Sequence, residues 1–561
     1  MTESPFAQLR QEFFRWYLAT QPEEATTLGA RGFDDKLRDL SLTALDDELR
    51  GYQRFLDRCD ALAPTLTAPD DEIDCWTMRA ICRFHLRAHG ERQEHLRNVE
   101  MSIYPYVMLQ HHMAHADVVE DWENVATRAD AVPRYLAQQE ALLRDGLRRG
   151  LRPDAVVTGF LVEQQLEAMA DDLAALPRIA AGVPENVKTR LQHAGQRAAD
   201  AFRAHRAFLR DDVLPHATQE FALGAEEYTW RLVHTHAVTT PVGELVARAE
   251  AILAELERDM TAQAAVVARE RGEPAVTDHG SAWALMQKLQ RETPAHADDV
   301  FPLYRERLQR AQDFMVQQKL FRMPDDAELR LAPTHAALRG VGNAINWPAP
   351  LLAPRRKGGF LLASDPAQHP LAWATIGAIH EGIPGHWLQS ASWQRKFSTH
   401  PAPVRFLLVP DDVTIPRRNF FTNQNIEGFA VYAEEVMRLH GFHQDPVDAL
   451  FALVGHAIRA IRVVVDIGLH TGRMNMEQAV AFLVRHASMP EETARAQVLR
   501  YRRIPMQAIT YLLGRLDIEE LKAAWMREQG SQGTEMRFHD ELFSYGPTPP
   551  NIIRRHMLRK T

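Results

Sequence analysis

The chain has 561 residues, 45% hydrophobic and 25% charged, ordinary globular values that exclude disorder, collagen-like repeats and low-complexity fibres. Lys+Arg is 65 against Asp+Glu 74, a formal charge of −9 with no basic block, which argues against a nucleic-acid partner. Three cysteines, Cys59, Cys75 and Cys82, are too few for a disulfide framework and fit a reducing compartment.

The N-terminal run MTESPFAQLRQEFFRWYLAT has acidic Glu3 and no apolar signal core, so the expected location is cytoplasmic. Phe6, Leu9, Phe13, Phe14 and Tyr17 fall at helical spacings and predict an amphipathic helix. The same periodicity recurs over Leu45–Leu62, Val132–Leu147, Val187–Leu209, Val242–Val267 and Asp299–Phe321, in segments rich in Ala, Leu, Glu, Gln and Arg. Breaks fall at Ala63-Pro64, Gly150, Leu176-Pro177, Thr240-Pro241 and Gly272-Glu273-Pro274. The pattern changes near residue 325. Glu328–Leu331 alternates as a strand would, a Pro/Gly-rich stretch runs from Asn346 to Gly359, and Phe360–Ser364 reads as a short strand. Helical pattern resumes near Leu371 and continues to the end. Its most apolar part, Ala460–Leu469, is interrupted by Arg462 and Asp466, and no run reaches the ~18 apolar residues of a membrane span. The expected fold is mainly α: an N-terminal helical lobe over 1–325 and a catalytic lobe over 326–561, with a small irregular β-sheet next to the active-site helix.

That helix carries His380-Glu381-Gly382-Ile383-Pro384-Gly385-His386. In the H-E-x-x-H pattern of zinc hydrolases, two histidines at i and i+4 share a helix face and the Glu acts as general base. Here the second histidine is at i+6, which an ideal helix would rotate ~120° away. Pro384 cannot donate a helical hydrogen bond and Gly385 tolerates unusual backbone angles, so a bulge there could return His386 to His380. The alternative is a structural proline kink in a histidine-containing helix.

A third ligand is sought downstream in Asn425–Glu435. Ile426, Phe429, Ala430, Ala433 and Met437 make the buried stripe, and Glu427 and Glu434, seven residues apart, align on another face. Glu427 is the candidate ligand and Glu434 the candidate acceptor for a ligand histidine's N–H. Glu427 could equally be a first-turn acid favoured by the helix dipole.

The runs HEGIPGHWLQ, IEGFAVYAEE, RVVVDIGLHTGRMNMEQAVAF, RYRRIPMQAITYLLG and FHDELFSYGPTPP, with FRWYLATQPEEATTLG and LGAEEYTWRL in the first half, resemble the bacterial family named domain of unknown function 885. The resemblance covers nearly the whole chain. It implies a gluzincin-like zinc metallopeptidase with two helical lobes around a deep cleft, one zinc per chain held by His380, His386 and Glu427, and Glu381 as general base. Two positions depart from the family: Met506 stands where it usually has Gly, and Gln497 where it often has Glu.

Groups that could stabilise an oxyanion or hold a substrate are His470, Arg500, Tyr501 and Tyr511. Arg462 and Asp466, at i and i+4, read as a helix ion pair. Cys82, His85 and His89, or His111 and His115, could compete for the metal, although neither set has a Glu in the base position. Arg355-Arg356-Lys357 could meet an anionic substrate end. Phe360–Ala363 is the expected strand for pairing an extended peptide. The expected function is zinc-dependent hydrolysis of peptide amide bonds. A zinc amidase or lyase acting on a small metabolite and an inactive metal-dependent binding protein are the alternatives, and the latter would have no need of Glu381.

Overall fold

The computed structural model describes residues 4–180, 182–325, 327–334, 343–353, 359–408, 423–487 and 489–558. The fold is mainly α with one small sheet. The first apolar stripe becomes the helix Pro5–Thr20, which buries Phe6, Leu9, Phe13, Phe14 and Tyr17. The Ser4 side chain accepts from Ala7 N at its start, the usual way to satisfy a free helical N–H. Helices Leu42–Leu62, Val132–Arg148, Glu185–Phe208, Val242–Arg271 and Val300–Gln317 follow where the periodicity predicts them. Arg355-Arg356-Lys357 lies outside the described residues.

Two compact units form. The first comprises Met1–Phe221, Pro350–Lys357 and Phe397–Phe421. Its core includes edge-on aromatic pairs, Phe13 with Phe55 at 5.2 Å and Trp16 with Tyr52 at 4.9 Å. The excursion at Phe397–Phe421 is tied to the helix Pro69–His85 by buried Arg405, whose Nε donates to Asp74 at 2.7 Å. The second unit comprises Ala222–Ala349, Gly358–Lys396 and Thr422–Thr561. The change of pattern at 325 therefore falls inside the second unit, and the main division lies near 221. The helix Val242–Arg271 packs along Pro446–His470, a partner far off in sequence that periodicity cannot announce. Pro446–His470 is buried almost all round, as expected of a central core helix. No helix among the described residues is long and apolar enough to cross a membrane.

The sheet belongs to the second unit. It consists of β1 (Leu331–Pro333), β2 (Ala344–Trp347) and β3 (Gly359–Leu362), in the order β1-β3-β2. β3 runs parallel to β1 and antiparallel to β2. Three expectations are corrected. The alternation at Glu328–Leu331 enters a strand only at Leu331, and β2 forms in the stretch read as Pro/Gly-rich loop. β3 is the central strand, buried at every position, and both of its edges are already paired, so it has no edge for an added peptide strand. The edges of the sheet belong to β1 and β2.

Candidate metal centre

The helix Leu371–Gly377 runs into a π-turn at Ala378–Gly382, stops, and a new helix starts at His386. Pro384 explains the stop. It has no N–H to offer, and Ile383 before it sits in the extended region at φ −121°, ψ 122°. Ile383 N donates back to Ala378 O at 3.1 Å and Gly385 N to Ile379 O at 2.9 Å, so the two extra residues are taken up by wide turns. A Cβ on Gly385 would sit 2.0 Å from His380 O and 2.3 Å from Ile379 O. Glycine is required there for close backbone approach, and not for a left-handed φ.

This break brings the two imidazoles together, with ring centroids 4.7 Å apart and planes at 82°. Glu427 joins them from the first turn of Glu427–Leu439. Its Oε2 lies 3.5 Å from His380 Nε2 and 3.4 Å from His386 Nε2. The oxygen is buried and neither approach has hydrogen-bond geometry. Ligand atoms at ~2.0–2.2 Å from a tetrahedral ion stand ~3.3–3.6 Å apart, so the spacing and the two-nitrogen, one-oxygen donor set fit a zinc ion. Burial works against charge on both partners, but Glu427 and Glu434 push His380 up to about 10, and the two histidines hold Glu427 well below the usual carboxylate range. The pocket thus carries a fixed negative demand that a cation answers.

Glu434 reaches His380 from two turns along the same helix as Glu427. Its Oε1 is 2.6 Å from Nδ1. A carboxylate only accepts, so Nδ1 carries a proton and Nε2 is the nitrogen that faces Glu427. Arg459 Nη2 donates to the same oxygen at 2.9 Å. Burial would raise the Glu434 carboxyl, but Arg459 and His380 outweigh it and hold it at about 2. Glu434→Gln is therefore expected to weaken metal binding by ~10–100-fold, read by competition with a chelator. Unchanged affinity would show that the Nδ1 contact does not tune the centre.

Glu381 lies alongside. Its Oε1 is 4.0 Å from His380 Nε2 and its Oε2 accepts from Asn346 N of β2 at 2.9 Å. One donor atom from each of His380, Glu381 and His386 lies within 4.8 Å of the others. Glu427 is the closer carboxylate to both rings, while Glu381 is anchored to the sheet. Cys82, His85 and His89 do not gather into a site. The His85 ring stacks on Tyr52 at 4.2 Å, and burial first, then His89 and Arg38, pushes its pKa well down. His111 and His115 pack edge to face at 5.0 Å in the first unit.

The family model described as "Bacterial protein of unknown function (DUF885)" matches residues 22–557. The chain belongs to this family. No curated protein matches the sequence. Among the solved structures that share the fold are two with nearly full coverage of both chains. One, from Shewanella oneidensis, is described as "a putative lipoprotein of unknown function"; it is 18% identical, with 99% of this chain and 100% of that one covered and a TM-score of 0.75. The other, "the putative lipoprotein from Colwellia psychrerythraea", is 15% identical with 98% of each chain covered and a TM-score of 0.77.

The remaining candidates divide. Tyr511 lies beside the centre, its ring nearly parallel to that of His380 at 6.2 Å. Arg500 Nη2 reaches both Tyr511 Oη, at 3.4 Å, and Gln507 Oε1, at 3.2 Å. Tyr501 is one layer back, donating to Gln497 at 3.2 Å. His470 is placed elsewhere. It is fully buried, its Nε2 lies 2.8 Å from the Tyr501 carbonyl and its ring packs near Tyr228 at 6.4 Å, so it fixes backbone rather than facing the centre. The Arg462–Asp466 ion pair does not form. Asp466 instead accepts from Tyr228 Oη at 2.6 Å and from Met506 N at 3.2 Å.

Three contributors escaped the sequence analysis, Asn346, Gln507 and Arg459, and Arg462, expected in an ion pair with Asp466, instead lies over the Tyr511 ring, 4.5 Å from its centroid. Gln507 Nε2 lies 3.4 Å from Glu427 Oε1 and 3.2 Å from Tyr511 Oη. The signal was present in the run RIPMQAITYLLG. Met506, at the position where the resemblance leads one to expect Gly, has φ +72°, the left-handed region, and the turn that presents Gln507 needs that conformation. The helix carrying Glu427 meets Thr510–Gln529 in backbone contact, since a Cβ on Gly428 would sit 2.4 Å from Gly514 Cα. That crossing puts Glu427 next to Gln507 and Tyr511.

Asp466 yields a pH prediction. Burial raises its pKa to about 7, against the opposing hydrogen bonds from Tyr228 and Met506. The folded state then holds a proton that the unfolded chain has released, so stability is fullest below about pH 4 and falls as pH rises through about 7, by up to ~4 kcal/mol. Asp466→Asn cannot ionise and is expected to flatten the fall of the thermal midpoint over that window. An unchanged slope would place the titration elsewhere.

Proposed function

We propose that this chain is a zinc-dependent hydrolase that cleaves amide bonds of peptides. The observation that carries the reading is the buried Glu427 Oε2 held 3.4–3.5 Å from two imidazole nitrogens with no hydrogen bond to either. Zinc held there by His380, His386 and Glu427 would supply Lewis-acid polarisation of a carbonyl and lower the pKa of water. Glu381, beside His380 and steadied by Asn346 N, is placed to take a proton from water as its oxygen bonds to the carbonyl carbon. It then passes that proton to the nitrogen as the C–N bond breaks. Tyr511, with its hydroxyl oriented by Arg500 and Gln507, is the candidate donor to the developing oxyanion.

The sheet supports a peptide over a small amide. β2 is an edge strand, and Asn346 N turns away from β3 to reach Glu381. An extended chain laid along that edge would run past the base. The deciding experiment is mass spectrometry of a peptide and small-amide library incubated with the zinc-loaded protein and with Glu381→Gln. Peptide cleavage by the wild type alone supports the reading. Turnover of small amides only would make it a metabolite amidase, and turnover of neither, with metal bound, would make it a binding protein.

We place the protein in the cytoplasm. Cys59, Cys75 and Cys82 are free and buried, in keeping with a reducing compartment. The lipoprotein descriptions of the two solved relatives point to the cell envelope instead, and fractionation of the native cell decides between the two.

A further inference from the structure

Among the described residues, the Arg462 guanidinium has no counter-ion. Its Nε donates to Tyr501 Oη at 3.3 Å and its charge lies over the Tyr511 ring, 4.5 Å from the centroid. Neither contact is to an acid. Asp466, one turn on, is occupied by Tyr228 and Met506, and Glu434 is paired with Arg459 and His380. The group behind Tyr501 is the neutral amide of Gln497. The groups that act most strongly on the Arg462 charge are two phenols and a second guanidinium, that of Arg500. Arg500 touches the same Tyr511 through its hydroxyl. Two cations thus converge on one ring, and the other side of the account is the ring's distance to the centre: it lies 6.2 Å from the His380 ring. A guanidinium with no acid beside it in a partly buried place loses hydration, a cost that an anion seated against Arg462 would offset.

Resting on the hydrolase reading above, we propose that Arg462, with Arg500 beside it, binds the C-terminal carboxylate of the substrate, which makes the chain an exopeptidase acting at the C-terminal end of short peptides. The reach agrees. An extended chain spans ~3.3–3.6 Å per residue, so a carboxylate one or two residues beyond the scissile carbonyl arrives beside Tyr511 when that carbonyl is at His380 and His386. Guanidinium suits the task because its planar fork matches a carboxylate with two parallel hydrogen bonds. Arg462 is a specificity determinant here, remote from the reacting atoms.

The test separates this inference from the hydrolase reading. Binding is measured by calorimetry on the zinc-loaded full-length Glu381→Gln variant, using one short peptide as the free acid and as its C-terminal amide. The acid is expected to bind roughly 10- to 100-fold more tightly, the range of a charged hydrogen-bonded contact. Adding Arg462→Met, which keeps the stem, should reduce the two forms to parity, and Arg462→Lys should restore part of the preference. Equal binding of acid and amide to the Arg462 protein overturns the proposal, as does a preference that survives Arg462→Met. Should Arg462→Met fail to fold, the acid-against-amide comparison with Arg462 intact decides alone. Product mapping with the wild type is the separate arm. Absence of any cleavage beside a clear acid preference would sink the hydrolase and leave the carboxylate site standing.

Discussion

Glu381→Gln is expected to keep about one zinc per chain while single-turnover hydrolysis falls by ~10²–10⁴-fold, the usual size of a general-base contribution. The two halves of this result have separate causes. Metal is retained because the closer donors are His380, His386 and Glu427, while Glu381 Oε1 stands 4.0 Å from His380 Nε2. Turnover falls because glutamine has the shape of glutamate and no proton affinity to match. Its amide can also be oriented so that its oxygen still accepts from Asn346 N, so the sheet contact survives. Peptide affinity should therefore change little, which marks an interaction made chiefly in the transition state. Metal analysis and kinetics on one preparation read both halves. Full activity in the variant would falsify the base assignment. Loss of metal would put Glu381 among the ligands and reopen the part given to Glu427.

Gly385→Ala is expected to take metal content well below one per chain and to lower stability by ~1–3 kcal/mol, the cost of overpacking a tight site. The new Cβ would fall 2.0 Å from His380 O and 2.3 Å from Ile379 O. These are backbone atoms, and one belongs to a candidate ligand, so relieving the clash moves the His380 ring. Gly382→Ala is the control. Its Cβ would meet Leu308 Cδ2 at 2.3 Å, the far end of a side chain that can rotate aside. The pair should separate clearly in zinc stoichiometry after dialysis and in thermal unfolding. A Gly385→Ala protein that bound zinc like the wild type would mean that the 383–385 break does not set the spacing of the two imidazoles.

Much of the protein is legible in its sequence. Helices such as Pro5–Thr20 and Val242–Arg271 are written locally, because an apolar stripe at a period of 3.6 has one way to bury itself. The interruption at Pro384 is equally local: a missing N–H and a clash act on the residue's own turn. The spacing of Glu427 and Glu434 placed both on one face of their helix, and the structure uses that face for His380.

What failed to show in the sequence depends on segments distant in the chain. The strand β2 forms from Ala344–Trp347 because β3 offers it an edge, and the prolines that follow hid it. Asn346 matters because its N–H turns to Glu381, and no side-chain pattern encodes that. Arg462 and Asp466 have the spacing of an ion pair, yet Tyr228 and Met506 claim the carboxylate and leave the guanidinium to Tyr501 and Tyr511. The helical class, the break at Pro384 and the candidate donors His380, His386 and Glu427 can be read from local sequence, because each rests on the chain's own turn or periodicity. Which charges are paired and which strand meets Glu381 depends on the fold, because those outcomes are settled by competition among partners that only folding brings together.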